Sequence, residues 1–200
     1  MVPGRIAARD ARRVKLDVGI AAGPWGERYF VESVGAGPFA DLLAHPADKK
    51  VKKQKGAVEK ALERLRDRAK RCESFELTAT LDDEDISGRY LLLEAVNLRY
   101  VGPNLHLAHD SRPGDGQFDV VLVSETERER LLHYLEHWQD NRERLAMLPT
   151  RRGRHLQLEW KGFPLHIDDK LRPKPGVKPK RIAGLVEARM AGDAVEFLVP

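Results

Sequence analysis

The stretch "RPGDGQFDVVLV", residues 112–123, decides how the rest of the chain is read. Its first part is turn chemistry: proline fixes one φ, glycine takes positive φ at no steric cost, and aspartate bonds its own backbone two residues on. Its second part alternates, with Phe118, Val120 and Leu122 on one face and Asp119, Val121 and Val123 on the other. A tight turn feeding a strand with one wholly apolar face belongs to a β domain. On spacing alone, Asp115 and Asp119 either shape that turn or hold a cation.

Outward from this strand the same period recurs. "VKLDVGIA" (14–21) and "RYFVESV" (28–34) flank the loop "AGPWGE", the pattern of a hairpin. "SFELTATL" (74–81), "HLQLEW" (155–160), "FPLHI" (163–167), "IAGLVEARM" (182–190) and "AVEFLVP" (194–200) are further strands, and "RYLLLEAVNLRYV" (89–101) is a longer, more fully apolar one. Two segments change period. "AVEKALERLRDRAKRC" (57–72) spaces Val58, Ala61, Leu62, Leu65 and Ala69 as one face of a helix, and "ETERERLLHYLEHWQDNRERLAML" (125–148) predicts a second. Strands outnumber helices and do not alternate with them, so the expected fold is mainly β (α+β), an antiparallel sandwich-like domain carrying two amphipathic helices. At 200 residues and 42% hydrophobic composition, residues 1–200 read as a single unit.

A third of the chain is charged but the net charge is only +4, so attraction to polyanions must come from local clusters: 49–55, 150–155 and 170–181. Cys72 is the only cysteine, which excludes an intramolecular disulfide and a multi-cysteine zinc site. The basic N-terminus lacks the apolar core of a signal peptide, and no run approaches the roughly 18 apolar residues of a membrane span. The expected location is cytoplasmic, peripheral at the inner membrane surface where the basic clusters meet it.

Three motifs suggest chemistry. "GAGPFA" (35–40) loosely fits a dinucleotide-binding glycine loop, but Pro38 removes an amide and no βαβ unit surrounds it, so a strand-to-helix turn is expected. "HYLEH" (133–137) fits an inverted zinc-protease pattern. At about 100° per residue its histidines lie opposite the stripe of Leu131, Leu135, Trp138 and Leu145, so they are expected on the solvent side. The lysine run at 49–55 lacks interleaved aromatics, which argues against nucleic acid and suits an anionic membrane surface.

With the residues before it, the opening stretch extends to "AVNLRYVGPNLHLAHDSRPGDGQFDVVLV" (95–123), which resembles diacylglycerol and sphingosine kinase-like lipid kinases. Asn97, Gly102, Ala108, Asp115, Gly116 and Asp119 fall in step with that family's pattern. "LDVGIAAGPWGERYFVESVGAGPFADLL" (16–43) and "LHIDDKLRP" (165–173) resemble two further family segments, so the likeness runs over nearly the whole chain. It implies the family's C-terminal, lipid-holding domain. The nucleotide-cradling "G-G-D-G-T" does not occur in this sequence.

The resemblance implies a structural magnesium ion held by Asp115 with the backbone carbonyls of Arg112 and Gln117. It also places the catalytic site at Asp168, Asp169 and Lys170, where Lys170 stands at the position of the family's proton-accepting glutamate. Its partners would be an acyl-chain lipid, an anionic membrane surface, and a separate nucleotide-binding chain or a second copy of this chain. ATP would enter only with such a lobe, and the 200-residue chain alone is expected to be inactive. The alternative is a non-catalytic β domain binding anionic polymers or membrane surfaces through its basic loops.

Overall fold

The computed structural model describes residues 12–46, 56–137, 147–174 and 183–199. Strand β1 (Arg12–Gly23) turns into β2 (Gly26–Phe30) as the expected hairpin. The segment expected to continue as one strand to Val34 breaks at Val31 and Glu32 and resumes as β3 (Ser33–Ala36) in a different sheet. The cause lies far along the chain. The Asp168 carboxylate accepts the amides of Val31 at 3.1 Å, Glu32 at 2.8 Å and Ser33 at 3.1 Å, satisfying them without a neighbouring strand.

Gly37, at φ 105°, then starts helix α1 (Pro38–Ala44), so "GAGPFA" is the strand-to-helix turn expected of it. Adding this short helix to the two expected makes three among the described residues. Helix α2 (Ala57–Arg71) buries Leu62, Leu65 and Ala69. Its C-terminal carbonyls are capped from outside by Arg128, which donates to Ala69 O at 2.8 Å and Cys72 O at 2.9 Å.

"SFELTATL" is also two strands, β4 (Phe75–Leu77) and β5 (Ala79–Leu81), lying in different sheets. After β6 (Glu84–Asp85), the apolar run forms β7 (Gly88–Val96) and stops at Asn97, whose side-chain amide donates to Asp17 O at 2.7 Å and Val31 O at 2.8 Å. A small ribbon, β8 (Tyr100–Val101) with β9 (Leu105–His106), precedes the Asp-Gly turn and β10 (Phe118–Ser124).

The second long helix is shorter than expected. A 3-10 turn, Glu125–Glu127, leads into α3 (Arg128–His137), and residues 147–149 are not helical; residues 138–146, with Trp138 and Leu145 of the expected stripe, lie outside the described residues. The chain continues through β11 (Thr150–Gly153), β12 (His155–Trp160), β13 (Leu165–Ile167), β14 (Lys170–Arg172) and β15 (Gly184–Val199). The two strands expected at 182–190 and 194–200 are thus one, with a register shift opposite Asp17 and Gly19 of β1 absorbing the irregularity.

Two antiparallel sheets result. Sheet I runs β2-β1-β15-β12-β5-β6, and sheet II runs β11-β10-β7-β3-β13-β14 with β4 also on β7. Between them lies an apolar core that includes Phe30, Leu93, Phe118, Val120, Leu158, Trp160 and Leu165. The other face of sheet II is buried too: Leu92, Val96, Val121 and Val123 pack under Phe39, Leu62, Leu65, Leu131 and Tyr134 of the helices. Sheet II is therefore the middle of three layers, which is why β7 and β10 read as nearly unbroken apolar runs. No helix among the described residues is long and apolar enough to cross a membrane.

Candidate functional site

Three buried titratable side chains interrupt the helix-facing side of sheet II: Asp119 on β10, Glu94 on β7 and His166 on β13. They divide into two sites.

At the first, Asp119 lies directly across from Arg152 on β11, whose Nε sits 3.4 Å from its Oδ1. A terminal nitrogen of the same guanidinium bonds Asp115 Oδ2, while Asp115 Oδ1 accepts the Gln117 amide at 3.0 Å. From the other side, Asp17 of β1 accepts the amides of Gly114 at 3.0 Å and Gly116 at 2.6 Å, both glycines at positive φ. Burial raises the Asp119 pKa, while the Arg152 charge and Ser111 hold it down against the neighbouring Asp115 and Asp110.

This arrangement does not fit a magnesium ion on Asp115. Both oxygens of that carboxylate are engaged, and the positive charge complementing the acidic pair is a guanidinium. Among the described residues no group of three or more His, Cys, Asp or Glu side chains is placed to hold a metal. That includes His133, which is exposed, and His137, half-buried, at one end of α3 with ring centroids 4.3 Å apart.

The second site lies across the next three strands of sheet II. Glu94, Gly35 and His166 are neighbours across β7, β3 and β13. Gly35 makes their contact possible, because a Cβ there would fall 2.0 Å from Glu94 Oε2 and 2.6 Å from the Leu93 carbonyl. Across this gap His166 Nε2 lies 2.9 Å from Glu94 Oε1 and 3.1 Å from Oε2, and Nδ1 lies 2.9 Å from the Asp168 carbonyl. Burial alone would lower the His166 pKa, but the charge and hydrogen bond of Glu94, the Asp168 carbonyl and Glu32 raise it above its ordinary value.

Above this pair opens a cleft of about 320 Å³. Its walls are Phe39, Leu42 and Leu43 of α1, Ala61 of α2 and Pro103, and its floor is Glu32, Ser33, His166, Asp168 and Asp169. Glu32, in the break between β2 and β3, accepts the Gly102 amide at 2.5 Å. Burial raises its carboxyl pKa, the Gly102 amide opposes this, and the negative charges of Asp168 and Glu94 add to the rise. A half-buried carboxyl with a raised pKa on the floor of an apolar cleft suits proton transfer.

Asp168 and Asp169 line this cleft, Lys170 follows them at the start of β14 outside its lining, and the three play different parts. The Asp168 carboxylate is occupied by the backbone of residues 31–33, while exposed Asp169 and Lys170 pair with each other at 2.7 Å. Arg112, by contrast, is an exposed residue of the Asp-Gly turn. Glu32, Glu94 and His166 are additions from the structure. Glu94 and His166 had a signal in the sequence, a lone glutamate in "LLLEAV" and a lone histidine in "FPLHI", each in a strand apolar enough to bury it and so in need of a partner; Glu32, in "RYFVESV", had none.

No family model and no curated protein sequence matches this chain. Its fold does match solved structures from Bacillus anthracis strain Sterne. Two of a protein provisionally described as a diacylglycerol kinase align with TM-scores of 0.64 and 0.63 at 17% and 16% identity, each over 90% of this chain and over 54% and 55% of theirs. A third, described as a diacylglycerol kinase, aligns with a TM-score of 0.61 at 14% identity over 90% of this chain and 54% of its own. This chain therefore has a fold similar to those of diacylglycerol kinase structures and spans about half their length.

Proposed function

We propose that this chain is the lipid-binding half of a lipid kinase, acting on a hydroxyl-bearing acyl lipid when a nucleotide-binding lobe supplies ATP. The observation that supports it best is the cleft. Apolar walls receive the acyl chain, and the floor carries a proton-accepting carboxyl beside the β13–β14 turn where the family resemblance expects catalysis. With Lys170 paired to Asp169 and Asp168 bound to backbone, Glu32 is the group that would take the proton from the lipid hydroxyl. At the Asp-Gly turn we infer that Arg152 does the work expected of magnesium, so no step is routed through that ion. The basic segments would rest on an anionic membrane surface; Arg151 and Arg152, however, are already paired with Glu84, Asp115 and Asp119. The run 49–55 lies outside the described residues.

The test is binding to phosphatidylcholine vesicles carrying diacylglycerols of increasing chain length. Each buried methylene contributes about 0.8 kcal/mol, so affinity should rise with length, and Ala61→Trp, which fills the cleft, should abolish the length dependence. Binding that is wholly salt-sensitive and indifferent to length would favour a domain for anionic polymers instead. Labelled ATP is expected to remain unconsumed by the purified chain alone; turnover above background would remove the need for a second lobe.

A further inference from the structure

A second recess, sharing no residue with the cleft, forms where the β1–β2 turn meets the ends of β12 and β14. It measures about 190 Å³, is walled by Pro24, Trp25, Trp160 and Pro173, and carries Arg28 and Arg172. The two indoles meet edge to face with ring centroids 5.2 Å apart, and the Arg172 guanidinium lies 6.0 Å from the centre of a Trp25 ring.

Arg172 is only 8% exposed, yet among the described residues neither it nor Arg28 has a carboxylate within ion-pair distance. Its Nη1 donates to the Leu171 carbonyl at 2.8 Å, and its Nε is buried without a hydrogen-bond partner. Burial lowers its pKa and the like charge of Arg28 lowers it further. Lys174 stands beside them, and no acidic residue occurs between Asp169 and Glu187. Buried charges are ordinarily paired, so a buried Arg172 without an acid, with the exposed Arg28 guanidinium beside it, makes a site that lacks its anion.

We propose that this recess binds a phosphate group carried on an apolar or flat moiety. The guanidinium forks match phosphate oxygens in pairs, and the partly exposed Trp25 indole, with Pro24 and Pro173, offers an apolar surface to the attached group. The volume is below the roughly 300 Å³ at which pockets enclose a drug-sized molecule, so the recess takes a head group and leaves the rest outside. The proposal is independent of the lipid-kinase reading.

Phenyl phosphate is the probe, titrated against the intrinsic fluorescence of Trp25 and Trp160, with inorganic phosphate in parallel. Binding should saturate, be tighter for phenyl phosphate, be lost in Arg172→Gln, and weaken about tenfold or more in Arg28→Gln. Arg28 is exposed, so that variant should keep its melting curve and decides the matter even if Arg172→Gln does not fold. Phosphatidylcholine vesicles with and without phosphatidate separate the sources: competition by phosphatidate alone indicates a lipid head group, and its failure to compete indicates a soluble phosphoester. Absence of saturable binding, equal affinity for the two soluble probes, or binding unchanged in Arg28→Gln overturns the proposal.

Discussion

Asp119 and Glu94 are buried carboxylates on the same face of the same sheet, on adjacent strands, and their partners differ in kind. Asp119 is met by a guanidinium that stays charged at any pH a protein survives, Glu94 by an imidazole that does not. The first pairing is a fastening. With Asp17 gripping the turn from one side and Arg152 from the other, the Asp-Gly loop is held by protein groups throughout. The second pairing can change its charge, and its imidazole is part of the floor of the cleft. The difference separates structure from chemistry within a face that looks uniform in sequence.

The harshest way to break this contrast is Arg152→Ala, which leaves Asp119 buried without its cation. It should destabilise the chain by about 2–4 kcal/mol, lowering Tm by roughly 5–15 °C. Magnesium sharpens the result. Melting curves of the unaltered chain should be the same with magnesium and with chelator, whereas the alanine variant, with Asp115 and Asp119 released, should regain part of its loss in millimolar magnesium. A magnesium-dependent Tm in the unaltered chain would restore the ion to the turn.

Gly35→Ala tests the second site by steric means. A methyl at 2.0 Å from Glu94 Oε2 and 2.6 Å from a backbone carbonyl must push the pair apart, for a loss of about 1–3 kcal/mol by denaturant unfolding. A change within 0.5 kcal/mol would mean that the Glu94–His166 contact is not what shapes this edge.

The two pairings should also differ in pH dependence. The His166 pKa is raised in the folded state, so its contribution to stability is complete below its unfolded value, about 6.5, and is lost as pH rises through the folded value. Tm measured between pH 6 and 9 should therefore fall by a component that Glu94→Gln removes. Arg152 keeps its charge over this range, so the partner of Asp119 adds no such component. A fall of equal size in the Glu94→Gln variant would break the assignment.

The smallest expected effect is a gain. Because folding raises the Glu32 pKa, the ionised carboxylate costs stability once pH has passed through its folded value. Glu32→Gln should thus raise Tm at pH 7 by about a degree or two after allowance for solvent screening, and the gain should vanish below about pH 4.5. Lipid binding should survive in this variant, and any phosphorylation achieved with a nucleotide lobe should not.

Much of the architecture was legible in local pattern. The alternation from Phe118 to Val123 and the glycine turn into α1 are properties of a few neighbouring residues and are found as read; the face of α2 holds at Leu62, Leu65 and Ala69, while Val58 in its first turn is exposed. What could not be read locally is where a continuous pattern changes sheet. "RYFVESV" and "SFELTATL" each keep their period across a corner, and the first corner is set by Asp168, more than a hundred residues away. The same limit applied to the site. Of the three residues that the resemblance singled out, Asp168 and Asp169 line the cleft and Lys170 does not; Glu94 meets His166 only through register across β3, and Arg152 looked like one more member of a basic cluster until it lay opposite Asp119.

Strand β15 has a consequence for how the chain assembles. It sits between β1 and β12 in sheet I, so residues 12–17 at one end of the sequence are joined to residues 194–199 at the other. Contacts of such separation make folding slow, because the closure entropy must be met before they form. On the ribosome the β1–β2 hairpin is made well before β15 and carries an unpaired edge in the interval, during which that edge can join the wrong neighbour. Shortening the chain by its last sixteen or so residues would therefore leave two disconnected halves of a sheet rather than a slightly smaller one.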